Sequence, residues 1–132
     1  KLYFPKGYKI DNFFEAILDD FQDVTQNNKY ANNYDYNKAV YLMGNNQLLD
    51  NGFLLLKEDP AFTSPVGVLN YEFYDSIETL NTQLDAQKEE LQCIVSSKHT
   101  ALDTLSFGEA QCPALNDYAD GVDTIEFLLK LK

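Results

Sequence analysis

The first quarter of the chain contains a short apolar run, followed by a longer segment whose apolar residues have helical spacing. Leu2 to Pro5 predicts a strand, and the Pro-Lys-Gly sequence that ends at Gly7 predicts a turn after it. Apolar residues then recur every three or four positions between Ile10 and Val24, with acidic residues on the other face, which predicts an amphipathic helix. Asn12 and Glu15 have capping-box spacing near its start.

The next segment contains a second helix and a hairpin. Residues 27–33 are polar and rich in Asn, which predicts a loop, and a helix is expected from about Asp35 to Gly44, a residue suited to a helix C-terminus. Asn51-Gly52 lies between two apolar runs, a strong hairpin pattern. The second run, Phe53 to Leu56, is apolar on both faces and therefore typical of a central strand.

The second half begins with a strand-helix-strand pattern. Val66 to Phe73 predicts a strand, Asp75 and Glu78 have capping-box spacing before a helix, and Leu91 to Val95 predicts a strand again. This order predicts a right-handed parallel βαβ unit. Residues 124–131 fit either a helix or a strand. The whole pattern predicts an α/β fold with a three-layer αβα arrangement and a largely parallel sheet.

Length and charge restrict the class of protein. The 132 residues predict one domain spanning 1–132, and nine Phe with nine Tyr argue against a disordered chain. The net charge is −11 and all ten basic residues are Lys, so nucleic acid and anionic membranes are poor partners. Apolar runs are far shorter than a membrane span, which predicts no membrane insertion. The first residue is not Met, so we expect the chain to begin within a longer protein.

The residues with reactive side chains favour structural interpretations. Cys93 lies in an apolar run and is expected to be a buried thiol, and Cys112 has an acidic neighbour that would raise its pKa. Two reduced thiols and a reducing compartment follow, and hence a cytoplasmic location. His99 is expected on a surface loop, since no adjacent residue completes a catalytic arrangement.

An acidic cluster and the glycines complete the search for chemistry. Asp117, Asp120 and Asp123 recur at every third position, but Tyr118 occupies a position where a calcium loop needs a ligand. These acids are expected to act in turns and helix caps. Gly-rich phosphate loops do not occur. Composition and spacing therefore predict an α/β segment that contains no active site of its own.

Three stretches resemble the C-terminal part of fatty acyl-CoA reductases, the reductases known from bacterial luminescence. They are Asp50 to Glu58, Ser64 to Leu69 and Phe107 to Thr124, and the resemblance covers nearly the whole chain. This family is similar to a branch of the aldehyde dehydrogenase superfamily. The resemblance implies an aldehyde dehydrogenase-like catalytic domain, of which this chain is the C-terminal half.

The resemblance also implies a reaction. In such a family a cysteine thiolate attacks fatty acyl-CoA, CoA leaves, and NADPH reduces the acyl-enzyme to aldehyde. The cysteine would come shortly before the strand at Leu2, so the nucleophile and the dinucleotide-binding domain are expected upstream and no catalytic residue is expected in this segment. The partners implied are the acyl-CoA substrate and a homo-oligomer or a fatty-acid reductase complex.

The resemblance suggests two groups of site residues. The superfamily has a ribose-binding Glu before a Gly-Pro pair, and the matching positions here are Ala61 and Thr63, so Glu58 is the candidate for cofactor binding. The candidates for the substrate cleft are Phe107, Gly108 and Gln111. Two alternatives remain open: a non-enzymatic interaction module on the same scaffold, and another aldehyde dehydrogenase branch that acts on free aldehydes.

Overall fold

A computed structural model describes residues 1–97, 102–115, 117–118 and 122–131. The chain divides into two compact units, Lys1–Asp75 and Ser76–Lys132. The first contains the sheet, and the second contains two of the α-helices. Each unit is described by itself below.

The first unit is built on a four-stranded sheet that is mostly parallel. Its elements are β1 (Leu2–Pro5), α1 (Ile10–Phe21), a 3₁₀ turn (Gln22–Gln26), α2 (Asn28–Met43), β2 (Leu49–Asp50), β3 (Leu55–Glu58) and β4 (Val68–Tyr74). The strand order is β1-β4-β3-β2. β4 is parallel to both β1 and β3, and β2 is antiparallel to β3. The predicted α/β class and largely parallel sheet are confirmed.

The two helices of this unit cover opposite faces of the sheet. Residues of α1 pack on a cluster formed by Phe4, Leu56 and Tyr71. The residues next to these along each strand point to the other face of the sheet, because side chains alternate along a strand. There Leu55 and Val68 pack with a tyrosine of α2. Leu55 and Leu56 are fully buried, so β3 is a central strand as its sequence predicted.

The second helix begins earlier than predicted. Asn27 is its N-cap, and its side-chain oxygen accepts hydrogen bonds from the amides of Lys29 and Tyr30. The predicted loop at 27–33 is therefore wrong, because Asn-rich sequence here supplies one cap and a polar helix surface rather than a loop. The predicted end at Gly44 is confirmed.

Polar side chains of α2 bind the turns of the sheet. The Tyr30 hydroxyl donates to the carbonyl of Phe53 at 2.7 Å, and the Asn37 amide donates to the carbonyl of Val66 at 3.0 Å. The Tyr34 hydroxyl donates to Asp50 Oδ1 at 2.6 Å. The predicted hairpin is confirmed, and the hydroxyls of Tyr30 and Tyr34 attach it to the helix, while Asn37 binds the β3–β4 connection.

Tyr34 predicts a loss of stability at alkaline pH. Burial, followed by the hydrogen bond to Asp50 and its charge, raises the pKa of Tyr34 from 10.0 to about 12. Because the unfolded chain loses this proton first, the contribution of Tyr34 to the free energy of unfolding should be constant below about pH 10 and fall as pH rises toward 12. Urea unfolding at pH 9, 10 and 11 measures this fall, and Tyr34→Phe should make it shallower. Equal slopes for both proteins would contradict the prediction.

Asp50 has the opposite linkage to pH. Burial acts to raise the pKa of this carboxyl, but hydrogen bonds from Lys38, Tyr34 and the Gly52 amide outweigh burial and lower it. Lys38 Nζ lies 2.6 Å from Asp50 Oδ2. The stabilisation from this carboxylate is therefore present above its ordinary pKa and is lost as pH falls through the lowered value.

The second unit has little regular structure. Its helices are α3 (Ile77–Ala86) and α4 (Thr124–Lys130), with a 3₁₀ turn at Lys88–Glu90. The strand predicted for residues 91–95 is wrong: Val95 forms one isolated parallel bridge with Leu105. The predicted βαβ unit is therefore wrong as well, since β4 takes β1 and β3 as its parallel neighbours.

Two predicted helix caps are displaced from the observed ones. α1 starts directly after Lys9, so Asn12 lies within its first turn and the capping box with Glu15 is wrong. For α3 the cap is Ser76, whose hydroxyl accepts from the Thr79 amide at 3.2 Å, rather than Asp75. The predicted helix at residues 77–84 is confirmed. α4 resolves the last ambiguous stretch as a helix.

Candidate functional site

The connection between β3 and β4, residues 59–67, lies on the face of the sheet that α2 covers. Asn70 of β4 points to this face and is 4% exposed. Its side-chain amide donates to the carbonyls of Ala61 and Thr63, each at 3.0 Å. Both amide protons are therefore used to hold the backbone of this connection.

Lys1 lies against the same connection. Its Nζ donates to the carbonyl of Pro60 at 2.6 Å and forms an ion pair with Glu72. The ammonium also lies over two aromatic rings, 5.0 Å from the centroid of Tyr3 and 5.4 Å from that of Phe62. The start of β1, the middle of β4 and the connection thus meet at one side chain.

A second lysine neutralises the first acid of the connection. Lys57 Nζ lies 2.6 Å from Asp59 Oδ2 and 5.0 Å from the centroid of the Tyr41 ring in α2. The hydrogen bond from Lys57, followed by the bond from the Ala61 amide, lowers the pKa of Asp59. Asp59 and Glu72 are therefore each paired with a lysine.

Glu58 lies on the other face of the sheet. It is the last residue of β3 and is exposed, and strand alternation places it on the side of α1 while Lys57 faces α2. Burial raises the pKa of its neighbour Tyr71, and the charge of Glu58 adds to that effect. The structure thus separates Glu58 from the Ala61–Thr63 segment, and its role in cofactor binding stays a prediction.

The predicted substrate-cleft residues lie in the second unit. Phe107 is 73% exposed, and Gln111 is exposed. Gly108 has φ 86°, and a Cβ built there meets no described atom within 4 Å. The Glu109 carboxylate accepts from the Ser106 amide at 3.1 Å, which closes the turn. The contact of this turn with substrate stays a prediction.

The acidic cluster has the turn and capping roles expected for the members that can be placed. Asp117 accepts from the Ala114 amide at 2.7 Å, and Asp123 caps α4 by accepting from the Glu126 amide at 2.9 Å. Asp120, Gly121 and His99 lie outside the described residues. Within the described residues, no group of three His, Cys, Asp or Glu side chains is arranged to hold a metal ion.

The cysteines are free thiols, as predicted. Cys93 is exposed, so its predicted burial is wrong: the segment around it is irregular, and no strand covers it among the described residues of its unit. Cys112 is exposed as well, and its Sγ lies 3.7 Å from the Gly108 carbonyl. None of the helices in the described ranges is both long and apolar enough to cross a membrane.

An open cleft of about 380 Å³ lies at the carboxyl ends of β1 and β4. Its walls are Lys6, Tyr8 and Phe73, with Tyr74 and Asp75 at the end of β4. Ligands of open parallel sheets often bind at this edge. The cleft has one ion pair, between Lys6 and Asp75, and both partners are exposed.

Sequence reasoning missed the three residues that organise the connection. Asn70 had a readable signal, because an amide inside an otherwise apolar strand needs a hydrogen-bond partner. Lys1 and Glu72 had none, since each looks like an ordinary surface charge and their sequence separation hides the pairing that β1 and β4 create.

Asn70→Ala should loosen the connection. The substitution removes two hydrogen bonds and leaves the carbonyls of Ala61 and Thr63 without these donors. We expect the free energy of unfolding to fall by about 1–3 kcal/mol. Urea unfolding measures the loss, and Asn33→Ala on the exposed surface of α2 is the matched control. Equal losses for the two variants would show that Asn70 does not anchor this segment.

Comparisons with protein-family models, with curated proteins and with solved structures gave no match. The coarse architecture, a mixed α/β chain with a mostly parallel sheet, therefore rests on this structure itself. Function has to be argued from the resemblance in the sequence and from the residues that the fold brings together.

Proposed function

We propose that this chain is the C-terminal half of the catalytic domain of a fatty acyl-CoA reductase, with a three-layer, aldehyde dehydrogenase-like arrangement. The observation that carries the proposal is the contact of Lys1 with the β3–β4 connection, through the Pro60 carbonyl and the Phe62 ring. The resemblance implies that both Lys1 and the β3–β4 connection lie near the reacting groups.

The parallel pairing of β1 and β4 makes this juxtaposition. Leu2 is paired with Tyr71, so the start of β1 lies beside the first half of β4. The resemblance puts the nucleophilic cysteine ahead of β1 and the cofactor-side loop ahead of β4. Because the two strands are parallel, the segments that lead into them lie at the same edge of the sheet. This pairing supports the proposal, because it brings together the two segments that the resemblance associates with the reaction.

The described residues do not fit the superfamily's way of holding the nicotinamide ribose. Ala61 and Thr63 have no carboxylate, Asp59 is bound to Lys57, and Glu58 lies on the other face of the sheet. The proposal therefore assigns NADPH no contact with the Ala61–Thr63 segment. Its main binding surface is proposed to lie in the domain upstream, as the resemblance implies.

In the proposed chemistry the upstream thiolate takes the acyl group from CoA, and the acyl-enzyme thioester is then reduced to fatty aldehyde. Exchange of one thioester for another changes little in bond energy. The binding energy of the substrate is therefore left to stabilise the transition state of the reduction. The chain described here contributes half of the scaffold that positions the nucleophile.

Activity of the full-length protein tests the proposal. The protein that contains this chain should oxidise NADPH when given long-chain acyl-CoA, and the aldehyde should be recovered as a hydrazone. Replacement of the cysteine that precedes β1 should abolish the reaction. Oxidation of free aldehydes without acyl-CoA reduction would favour the other dehydrogenase branch. Absence of both reactions would favour the interaction module and would contradict the proposal.

Residues 1–132 alone should be inactive. The segment lacks the nucleophile and the dinucleotide-binding domain under the proposal, and catalysis needs the reacting groups held together. Mixing the isolated segment with acyl-CoA and NADPH should leave nicotinamide absorbance at its background rate. Turnover above that rate would show that reactive groups within the segment have been overlooked.

A further inference from the structure

We propose that Lys1 is a positioning residue, a buried ammonium that fastens the β3–β4 connection to the start of β1 and the middle of β4. The inference rests on the proposed function for its catalytic consequence. Its structural part, the fastening of the connection, stands on the contacts alone and is tested separately.

The burial of the Lys1 side chain is the first observation. The side chain is 4% exposed, and lysine is rarely buried unless its charge is paired. Loss of hydration by an ammonium group is unfavourable, so its burial has to be offset by nearby partners. The Glu72 carboxylate and the Pro60 carbonyl provide that compensation.

The partners of Lys1 come from different segments. Glu72 belongs to β4, Tyr3 to β1, and Pro60 and Phe62 to the connection. A cation over two aromatic rings gains further stabilisation when it is removed from water. The sheet joins β1 and β4 through backbone hydrogen bonds, but the connection lies outside the sheet. The Lys1 side chain links the connection to both strands.

The ion pair between Lys6 and Asp75 offers a contrast within the same unit. Both of its side chains are more than three quarters exposed, at 78% and 77%. Exposed pairs of this kind contribute little to stability. Lys6 and Lys1 flank the same strand, so Lys6 supplies a matched control for removal of a lysine charge near β1.

The catalytic consequence follows from the position of Lys1. The segment that precedes Lys1 carries the nucleophile under the proposed function. A loosened connection would let the start of β1 shift, and a small displacement of a reacting group lowers the rate of the chemical step more than the affinity for substrate. Lys1 acts through this backbone and does not touch the substrate.

Hydrogen exchange in the full-length protein tests the fastening. In Lys1→Met the amides of Asp59, Ala61, Phe62 and Thr63 should exchange at least tenfold faster than in the wild type, with the rest of the sheet unchanged. Lys6→Met should match the wild type. Glu72→Gln should speed exchange in the same segment, and the double variant should add little to either single change. Unchanged exchange at 59–63 in Lys1→Met overturns the inference.

Steady-state kinetics of the same proteins tests the positioning. Below the melting temperature of each variant, kcat per folded molecule should fall about tenfold in Lys1→Met, with KM for acyl-CoA unchanged. Lys1→Arg, which keeps the cation, should recover most of the rate. Faster exchange with an unchanged kcat would overturn the positioning role. A wild-type protein that does not reduce acyl-CoA would remove the proposed function, and the exchange experiment would still decide the fastening.

Discussion

Replacement of Gly67 by alanine should destabilise the Lys1–Asp75 unit by about 2–4 kcal/mol. Two effects add. Gly67 has φ 82°, a conformation that costs an alanine about 1–2 kcal/mol. A Cβ at this position would also meet Cα and Cβ of Tyr34 at 3.1 Å, and these atoms belong to a helix that cannot retreat alone.

Gly52→Ala separates these two effects. Gly52 has φ 95°, but a Cβ built there meets no described atom within 4 Å. This variant should therefore lose only the conformational part, about 1–2 kcal/mol. Urea unfolding of both variants measures the two losses in free energy of unfolding. The difference between these losses is the cost of placing a Cβ at residue 67 close to α2. Equal losses would mean that the helix moves away without cost.

Leu55→Ala and Leu56→Ala should each lower the free energy of unfolding by about 2–5 kcal/mol. Both side chains are fully buried, and they point to opposite faces of the central strand. Leu56→Ala leaves a cavity among the aromatic rings on the α1 side. Leu55→Ala leaves one beside Tyr34 on the α2 side. The sheet therefore depends on two separate cores that meet at one strand.

A leucine of α1 provides the control. Leu18 is 42% exposed, so Leu18→Ala should cost less than about 1 kcal/mol. Chemical denaturation of all three variants, followed by far-ultraviolet circular dichroism, measures these losses. A loss for either central leucine that is no larger than the loss for Leu18 would contradict the two-core description.

The sequence predicted the sheet well because the strands and their turns are specified locally. The run at 53–56 and the Asn-Gly pair specify a central strand and its hairpin through burial on both faces and a glycine with positive φ. The helix α2 was harder, because its inner face carries hydroxyl and amide groups that bind turn carbonyls. A search for apolar periodicity misses a face of that kind.

The predictions for the second unit failed for a different reason. The apolar run at 91–95 has the composition of a strand, but a strand needs a neighbour, and in the part of the chain that the structure describes Val95 forms one isolated bridge, to Leu105. Composition does not reveal whether a sheet edge is near. The exposed Cys93 follows from the same error.

The site residues that the resemblance suggested stay predictions, and of the residues that organise the β3–β4 connection only Asn70 had a signal in the sequence. The resemblance drew attention to the stretch at Ser64–Leu69, and the structure gives Gly67 within it a packing role against α2. The group around Lys1 could not be predicted, because its members are distant in sequence and become neighbours only when β1 joins β4.

The pairing of β1 with β4 also sets an order for folding during synthesis. Leu2 pairs with Tyr71, which is synthesised later. At translation rates of roughly 5–20 residues per second, about 4–14 seconds separate the synthesis of the two residues. During this time the helices α1 and α2 can form, while the apolar strand β1 has no partner. Ribosome-bound chains that end before β4 should therefore expose Leu2 to Phe4 to proteases and chaperones, and addition of β4 should end that exposure.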